Sequence, residues 1–345
     1  MTFSNRLISW YLENRRDLPW RNTTDPYAIW LSEIILQQTR VVQGLPYFEA
    51  FISEFPTVFD LAQAQEEQVL KLWQGLGYYS RARNLHQTAQ QVVAQFEGQF
   101  PKTYQELIAL KGVGPYTAAA VASFSSNEAV PVVDGNVYRV LSRYFGLETD
   151  IASAKARKEF THLAQEVMDK QRPSDFNQAI MEFGALQCVP KSPNCSDCIF
   201  NDSCWAFQND KVALLPVKSQ KVKITNRYFN YLVVFDSEDA TLIQKRTQKG
   251  IWHNLYEFPL IESEKELNEN EIKERVATQF SEFQPLLFLV AYENQSRLHK
   301  LSHQHLYIRF WRLEISGKLS SGISKKEAIK KPFPAVVFNF IENYF

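Results

Sequence analysis

Two carboxyl side chains lie in sequence surroundings that would give them different protonation states. Glu33 lies within the apolar run Tyr27–Gln38, and Asp134 follows the apolar run Val130–Val133 and precedes a predicted helix. Burial favours the protonated form of a carboxyl group, whereas a helix N-terminus favours the charged form. Enzymes that hydrolyse sugar bonds commonly use one carboxyl in each state. An ion-paired glutamate and an ordinary helix-capping aspartate are the alternatives.

All four cysteines of the chain fall in one short segment, with the spacing Cys188-x6-Cys195-x2-Cys198-x5-Cys204. In an intracellular protein, clustered cysteines indicate a metal site more often than disulfides. Four thiolates can hold either zinc or an iron–sulfur cluster. Zinc sites usually contain two close cysteine pairs, and this segment contains one. The spacing therefore favours an iron–sulfur cluster, with zinc and two disulfides as alternatives.

A tight turn between two predicted helices could bind a phosphate group. Gly112 and Gly114 flank Val113 in the run LKGVGPYT at residues 110–117, and small residues follow at Ala118–Ala120. Glycines allow the backbone N–H groups at the start of a helix to point at a phosphate oxygen, which is how many proteins contact DNA. A purely structural helical corner would have the same sequence.

Gln38 and a second glycine-rich segment, residues 76–84, supply polar, apolar, aromatic and basic side chains that could open a base pair. An enzyme acting on a paired base must extrude that base and fill the gap. Gln38, Leu76 and Tyr78 are candidates for filling it. Arg81 and Arg83 could contact phosphates. The alternative is a buried aromatic corner with two solvated arginines.

The bulk composition is that of a globular protein of about two domains, since the chain has 345 residues, of which 45% are hydrophobic and 22% charged. A formal net charge of zero argues against a basic coat but allows local basic patches. No apolar stretch is long enough for a membrane span, and residues 1–10 do not resemble a signal peptide. We therefore expect a cytoplasmic protein.

Hydrophobic periodicity divides the chain into a helical part and a mixed part. Helices are predicted over Tyr27–Gln38, Pro46–Phe55, Glu66–Trp73, Ala82–Phe96, Tyr104–Leu110, Tyr116–Ser125, Val137–Tyr144, Ala154–Met168 and Phe176–Leu186. The polar run Pro216–Lys223 indicates a linker. Beyond it, the sequence predicts an α+β domain with strands over Tyr228–Phe235, Thr241–Lys245, Leu286–Tyr292 and His305–Ile315, and helices over about Asn268–Phe280 and at the C-terminal end.

Three of these motifs, taken in order, resemble one protein family. The hairpin, the run VDGNV at residues 133–137 and the cysteine segment are similar to those of the helix-hairpin-helix DNA glycosylases with an iron–sulfur cluster, over about residues 1–210. The run WLSEIILQQT at residues 30–39 is similar to the motif of MutY-type adenine DNA glycosylases. The resemblance implies two helical subdomains with DNA across the cleft between them, and one [4Fe–4S] cluster on Cys188, Cys195, Cys198 and Cys204.

The resemblance also implies roles for four residues of the cleft. Glu33 would be the general acid and Asp134 would stabilise the sugar cation, with Tyr116 and Asn136 supporting near the sugar and the attacking water. Endonuclease III-like enzymes have a lysine at the position of Tyr116 and form a Schiff base with it. Because a phenol cannot form an imine, a monofunctional, hydrolytic glycosylase is implied.

The same resemblance extends to DNA and base contacts. It supports Tyr78 as a wedge beside the orphan base and Arg81 and Arg83 as phosphate ligands, and it implies that Arg21 and Gln178 line the adenine pocket. The implied partner is duplex DNA with adenine opposite 8-oxoguanine or guanine, bound by a monomer.

From about residue 228 the chain resembles the Nudix-like C-terminal domain of the same family, through the run GIWHNLYEFP at residues 250–259. No R-E-x-x-E-E run follows, so no pyrophosphate-cleaving site is expected. Where the family has an F-S-H loop, this chain has Leu301, Ser302 and His303. Ser302 and His303 would contact oxidised guanine, while Leu301 lacks the aromatic ring.

The predicted organisation is thus an all-α helix-hairpin-helix glycosylase domain over residues 1–215, a linker over 216–227 and an α+β Nudix-like lesion-recognition domain over 228–345. Two rival functions are an endonuclease III-like lyase and a non-catalytic, metal-stabilised DNA-binding protein. Tyr116 and the additional domain oppose the first, and the pair Glu33 and Asp134 opposes the second.

Overall fold

The computed structural model describes residues 2–219 and 223–345. The chain divides into two compact units, the first formed by Met1–Gln63 and Asn84–Gln220 and the second by Ala64–Arg83 and Lys221–Phe345. The second unit therefore includes a segment from the helical part of the sequence. Residues 220–222, in the middle of the predicted linker, lie outside the described residues, and the domain boundaries remain a prediction.

The helical part of the described chain begins at Phe3 and ends near residue 208. Its α-helices are α1 (Phe3–Asn14), α2 (Pro26–Ile35), α3 (Val41–Glu54), α4 (Val58–Gln63), α5 (Glu66–Leu72), α6 (Ser80–Phe96), α7 (Tyr104–Leu107), α8 (Pro115–Ser126), α9 (Gly135–Phe145), α10 (Ala154–Val167), α11 (Pro173–Leu186) and α12 (Trp205–Gln208). A 3-10 turn covers Pro19–Arg21. The predicted helical architecture is confirmed, although α1, α4 and α12 were not individually predicted.

Helix α2 begins where its sequence predicts and ends early. The side chain of Asp25 caps it by accepting from the backbone N–H of Tyr27, and Pro26 occupies its first turn. The helix ends at Ile35 rather than at Gln38, because residues 36–38 form a turn in which Gln38 has φ 58°. The apolar faces of α2 are buried, with packing against α3 and α8.

The hairpin leads from α7 into α8. Gly112 has φ 71°, a conformation that favours glycine. A Cβ there would also lie 2.5 Å from the Cβ of Asn84, so no space is left for a side chain. Gly114 is the N-cap of α8, and Pro115 is in its first turn. The turn therefore has the tight geometry that the sequence predicts.

Helices α1, α9 and α11 form the main core of the first unit, and α9 packs closely on α11. A Cβ at Gly184 of α11 would lie 2.7 Å from the Cβ of Asn136 in α9. Buried Leu7, Val140 and Phe176 are among the core residues that these helices contribute. The close approach sets the position of the N-terminal turn of α9, which follows Asp134.

The second unit is built on a mixed sheet. Its elements are β1 (Thr225–Phe235), β2 (Gln244–Lys245), β3 (Tyr256–Glu257), β4 (Leu260–Ser263), α13 (Glu269–Gln279), β5 (Leu286–Ala291), β6 (Arg297–Lys300), β7 (Gln304–Ile315), α14 (Lys325–Ala328) and α15 (Ala335–Tyr344). The strand order is β4-β1-β7-β5, with β6 also on β7, and β2 and β3 form a separate pair. Strands β1 and β7 run parallel, and the other pairs are antiparallel.

The predicted α+β class of this part is confirmed. Strands β3, β4 and β6 are short and were not predicted, and Thr241 forms only isolated bridges ahead of β2. The apolar side chains of Leu232 and Trp311 pack against Ile272 of α13 in one core. Among the described residues, no helix is both long and apolar enough to cross a membrane.

Candidate active site

A cavity of about 560 Å³ lies in the first unit. Elements far apart in sequence form its walls: the 3-10 turn, α2, α8, α9 and α11. Six predicted site residues line it: Arg21, Glu33, Tyr116, Asp134, Asn136 and Gln178. The structure thus brings the four predicted catalytic residues and the two predicted adenine contacts to one cavity.

Glu33 is 6% exposed, and its Oε2 accepts a hydrogen bond of 2.7 Å from the phenol of Tyr116. Burial, and to a smaller extent the nearby charge of Asp134, raise its pKa to about 7 against the opposing effects of Tyr116 and Arg21. A carboxyl with this pKa is partly protonated at neutral pH. Glu33 therefore has the protonation behaviour that a general acid requires.

Asp134 caps α9 with one carboxylate oxygen and contacts Asn136 with the other. Its Oδ1 accepts 2.8 Å bonds from the backbone N–H groups of Asn136 and Val137, and Oδ2 accepts from the side-chain amide of Asn136 at 2.8 Å. We expected the helix N-terminus to keep Asp134 ionised. Burial opposes that effect and raises the pKa of Asp134, although these three bonds act in the other direction.

Tyr116 and Asn136 are fixed by their neighbours. Burial, and then the charges of Glu33 and Asp134, raise the pKa of the Tyr116 phenol well above its usual value. The phenol therefore stays protonated and donates. The side-chain oxygen of Asn136 accepts 2.9 Å from the guanidinium of Arg139, which orients its amide nitrogen towards Asp134.

Sequence reasoning missed Glu182, which also lines the cavity. Its side chain is fully buried and accepts from the guanidinium of Arg21 at 2.8 and 2.7 Å and from that of Arg16. Burial raises its pKa, but the bonds from Arg21 and Arg16 outweigh burial and lower it to about 2. The available signal was a carboxylate within an apolar helix, four residues after Gln178 and so on the same face.

The other adenine contact predicted from the sequence, Gln178, is held in place by α1. Its Oε1 accepts 2.8 Å from the phenol of Tyr11, and its amide nitrogen donates 3.3 Å to the hydroxyl of Ser174. Gln38 differs from these residues. It is exposed and is not among the residues that line the cavity in the described chain.

Of the predicted phosphate-binding residues in the hairpin, Gly112 is exposed and Gly114 is half-buried. A Cβ built at Gly114 would meet no atom within 4 Å, so a ligand could approach its backbone closely. Val113 is 6% exposed, and its backbone N–H donates 3.2 Å to the carbonyl of Leu110. This N–H group is therefore already used within the hairpin.

In the second unit, the structure brings Tyr78 and Ser302 together. Tyr78 is 52% exposed with φ 47°, and its phenol oxygen lies 2.6 Å from the hydroxyl of Ser302. Ser302 and His303 are exposed in the turn between β6 and β7. Leu76 is buried beneath the loop.

The arginines expected to contact phosphates face protein carbonyls instead. Arg81 is 8% exposed, stacks 5.0 Å from the ring of Trp73 and donates at 3.4 Å to the carbonyls of Leu76 and Gly77. Burial lowers its pKa to about 10. Arg83 donates 2.8 Å to the carbonyl of His253. The contacts that orient Arg81 are local, whereas the partner of Arg83 lies 170 positions away and is not encoded by the local pattern.

The four cysteines line one largely apolar cavity beside α9 and α11, and none forms a disulfide. A guanidinium nitrogen of Arg143 lies 3.5 Å from the sulfur of Cys188, and the backbone N–H of Phe200 donates 3.4 Å to the sulfur of Cys198. Within residues 2–219 and 223–345, no three His, Cys, Asp or Glu side chains are grouped tightly enough to hold a single metal ion. The donor set, four thiols around one cavity with N–H groups at two sulfurs, fits a group bound by thiolates.

Comparison with protein families gives two matches. Residues 31–166 match the HhH-GPD superfamily of base excision DNA repair proteins, and residues 230–343 match the NUDIX domain. These ranges include Glu33, Tyr116 and Asp134 in the first match and Ser302 in the second. The family resemblance predicted from the sequence is confirmed.

Curated relatives share one printed name. An adenine DNA glycosylase of Buchnera aphidicola subsp. Schizaphis graminum is 38% identical over 258 residues, covering 74% of each chain. The adenine DNA glycosylase of another Buchnera aphidicola, subsp. Baizongia pistaciae, is 33% identical and covers 89% of this chain and 85% of its own length. The human adenine DNA glycosylase is 44% identical over 215 residues, which are 60% of this chain and 39% of the human protein.

Solved structures match the helical part. A thermostable thymine-DNA glycosylase superposes with a TM-score of 0.56 at 28% identity, covering 60% of this chain and 95% of its own. An endonuclease III trapped as a covalent intermediate with DNA superposes with a TM-score of 0.53 at 20% identity, covering 60% and 94%. The second likeness shows the fold alone.

Proposed function

This chain belongs to the adenine DNA glycosylases, base-excision repair enzymes that hydrolyse N-glycosyl bonds, and we propose that it removes adenine paired with 8-oxoguanine or guanine by a monofunctional mechanism. The observation that carries the proposal is the buried carboxyl of Glu33, whose pKa is raised to about 7 in the cavity that Asp134 also lines. Duplex DNA containing such a mispair is the proposed partner, and a monomer is the proposed form. An intracellular location remains a prediction.

In the proposed reaction, an extruded adenine enters the cavity of the first unit. Glu33 donates its proton to the base, the bond between the base nitrogen and C1′ breaks, and the electron pair leaves with adenine. The negative charge of Asp134 stabilises the sugar cation that remains. Water adds to C1′ and gives its proton to the carboxylate of Glu33, which restores the acid and leaves an abasic site.

The remaining cavity residues support this division of roles. The phenol of Tyr116 holds Glu33 by a 2.7 Å bond, and Asn136 holds Asp134 by a 2.8 Å bond. Arg21 lies on the buried carboxylate of Glu182, and Gln178 lies on Tyr11, so both polar groups are oriented before a base arrives. Preorganised polar groups favour the transition state because they need no rearrangement during the reaction.

The monofunctional mechanism is supported by the lack of a lysine amine among the described residues that line the cavity. A lyase of the endonuclease III type needs a lysine amine to attack C1′. In the described chain, no lysine is among the residues that line this cavity, and the hairpin position that would supply one is Tyr116. A phenol with a strongly raised pKa is also a poor nucleophile.

Recognition of the base opposite adenine is assigned to the second unit, which contains the predicted lesion-recognition domain of residues 228–345 and the segment Ala64–Arg83. Tyr78 and Ser302 are exposed neighbours there, and His303 follows in the same turn. A hydroxyl and a phenol can hydrogen-bond to an oxidised purine, and an aromatic ring can fill the gap left by the extruded adenine. Leu301 offers a further apolar contact.

We further propose that Cys188, Cys195, Cys198 and Cys204 hold a [4Fe–4S] cluster. When bound, the cluster would supply iron–thiolate bonds that cross-link the segment 188–204. Iron and acid-labile sulfide in the purified protein, with a brown colour, are expected. A colourless protein containing stoichiometric zinc would contradict the cluster proposal.

Adenine release from three duplexes tests the proposed function. The protein is mixed in excess with duplexes that contain adenine opposite 8-oxoguanine, guanine or thymine, and free adenine is measured with and without borohydride. Adenine release from the first two duplexes, without a trapped protein–DNA adduct, is expected. A borohydride-trapped adduct would contradict the monofunctional mechanism, and the absence of adenine release from every duplex would contradict the function itself.

A further inference from the structure

The segment Ala64–Arg83 belongs by its contacts to the second unit, although it precedes most of the first unit in sequence. We propose that a polar latch of Glu67, Lys331 and Tyr256 fixes this segment to the C-terminal part of the unit and thereby sets how strongly the enzyme distinguishes 8-oxoguanine from guanine opposite adenine. The inference rests on the proposed function.

The latch uses both oxygens of one carboxylate. Oε1 of Glu67 accepts 2.8 Å from the ammonium of Lys331, and Oε2 accepts 3.0 Å from the phenol of Tyr256. Burial raises the pKa of Glu67, but the bonds from Lys331 and Tyr256 outweigh burial and lower it. The side chains of Glu67 and Lys331 are each 34% exposed, so the ion pair is only partly screened by solvent.

Flanking hydrogen bonds hold the segment on both sides of the latch. They connect two short stretches of the C-terminal part, residues 253–254 and 329–333, to the length of the segment. The pairs are Asn254 with Glu66 at 2.6 Å, Lys71 with the carbonyl of Ile329 at 2.7 Å, Gln74 with the N–H of Phe333 at 2.9 Å, and Arg83 with the carbonyl of His253 at 2.8 Å.

The turn that supplies two of these partners has an unusual backbone. Trp252 and Asn254 are not glycines, yet they have φ of 61° and 66°. Side chains disfavour this left-handed region, so such residues persist where the surrounding contacts fix them, and they concentrate at functional positions. The side chain of Asn254 ends on Glu66, next to the latch residue Glu67.

The glycine-rich loop of residues 73–79, between α5 and α6, is held against the C-terminal part of the same unit. The phenol of Tyr79 donates 3.2 Å to the carbonyl of Phe333, and Arg81 donates to the loop carbonyls of Leu76 and Gly77. Only Tyr78 among the tyrosines of the loop is exposed.

The exposed phenol of this loop meets the turn between β6 and β7. Its oxygen lies 2.6 Å from that of Ser302, so one compact unit presents both groups together. A shift of the segment Ala64–Arg83 would separate Tyr78 from Ser302 and alter the surface offered to the opposite base. The latch is therefore a positioning device for discrimination, and neither Glu67 nor Lys331 needs to contact DNA.

A charge swap tests the latch. Glu67→Lys and Lys331→Glu are made singly and together, and adenine release under single-turnover conditions is measured on duplexes with 8-oxoguanine or guanine opposite adenine. Each single variant should lower the ratio of the two rate constants about fivefold, the size expected for loss of a partly exposed pair with its hydrogen bonds. The double variant should regain most of the ratio.

The matched control is the pair Lys273 and Glu269, which lies 2.6 Å apart on the exposed face of α13. Swapping these two charges should leave the ratio unchanged. If a single latch variant fails to fold, Tyr256→Phe removes one bond to Glu67 without changing charge, and it should lower the ratio about twofold, as expected for one modest hydrogen bond.

The outcomes distinguish a failure of the latch from a failure of the proposed function. Latch variants with the wild-type ratio, or a folded double variant that does not recover, would overturn the latch while the proposed function stands. Wild-type protein that releases no adenine opposite 8-oxoguanine would overturn the proposed function, and this inference with it.

Discussion

The phenol of Tyr116, at the start of α8, donates a 2.7 Å hydrogen bond to Oε2 of Glu33, near the end of α2. The two residues are 83 positions apart in sequence, and the packing of α2 on α8 brings them together. The bond stabilises the charged form of Glu33 against a burial that destabilises it. Tyr116 therefore lowers the pKa of Glu33, the proposed general acid.

Tyr116→Phe should move the pH dependence of adenine release. In the proposed mechanism Glu33 acts in its protonated form, so the rate should fall as pH rises through its pKa of about 7. Because the bond from Tyr116 lowers that pKa, its loss should raise the pKa and move the fall to higher pH. The single-turnover rate measured from pH 5 to pH 9 checks this. If the fall in rate stays at the same pH in Tyr116→Phe, or moves to lower pH, the result would contradict the assignment of Glu33 as the acid.

Glu182→Gln should lower the free energy of unfolding by about 3 kcal/mol, the usual cost of breaking a buried ion pair from one side. The carboxylate is fully buried, and the variant leaves Arg21, 12% exposed, without its counter-charge. Equilibrium denaturation in urea measures the change. Glu238→Gln, on an exposed pair with Lys318, is the control and should cost less than about 1 kcal/mol.

The contribution of Glu182 should also depend on pH in one direction. Its pKa is lowered in the folded protein to about 2 from an ordinary 4.5, so the unfolded chain binds this proton first as pH falls. The stabilisation is complete above pH 4.5 and is lost as pH falls towards 2. The difference in the free energy of unfolding between wild type and Glu182→Gln should therefore narrow as pH falls from 4.5 to 2. A constant difference from pH 6 to pH 3 would not fit an ionised Glu182.

Gly184→Ala should slow adenine release by about ten- to hundredfold, because small displacements of positioned groups have effects of this size. The added Cβ would lie 2.7 Å from that of Asn136, which holds Asp134. Gly317→Ala, where a Cβ meets nothing within 4 Å, is the control and should be neutral. If Gly184→Ala retained the wild-type single-turnover rate constant, the close packing of α9 on α11 would not be required for catalysis.

The sequence predicted the features that depend on local pattern. An apolar run around Glu33 predicted its burial, and an aspartate before a helix predicted the cap at Asp134. Glycines at the hairpin predicted a tight turn, which has φ 71° at Gly112. The order of helices and strands followed from periodicity, so the two-part architecture was predicted as well.

Features that depend on distant residues were not predicted. The role of Glu182 requires Arg16 and Arg21, which are more than 160 positions away, to be folded against it. Arg83 looks like a solvated basic residue in sequence but donates to the carbonyl of His253, which is 170 positions away. The segment Ala64–Arg83 belongs to the second unit because it contacts partners beyond residue 250, and no local signal encodes those contacts.

The most direct test of the account compares wild type with Glu33→Gln. Adenine release from a duplex with adenine opposite 8-oxoguanine is measured under single-turnover conditions, together with binding of the same duplex. Glu13→Gln, on the exposed face of α1, is the matched control. The account predicts wild-type release by the control, and unchanged DNA binding with a rate lower by about 10²–10⁴-fold in Glu33→Gln, the usual contribution of a general acid. A Glu33→Gln variant that releases adenine as fast as the wild type would contradict it.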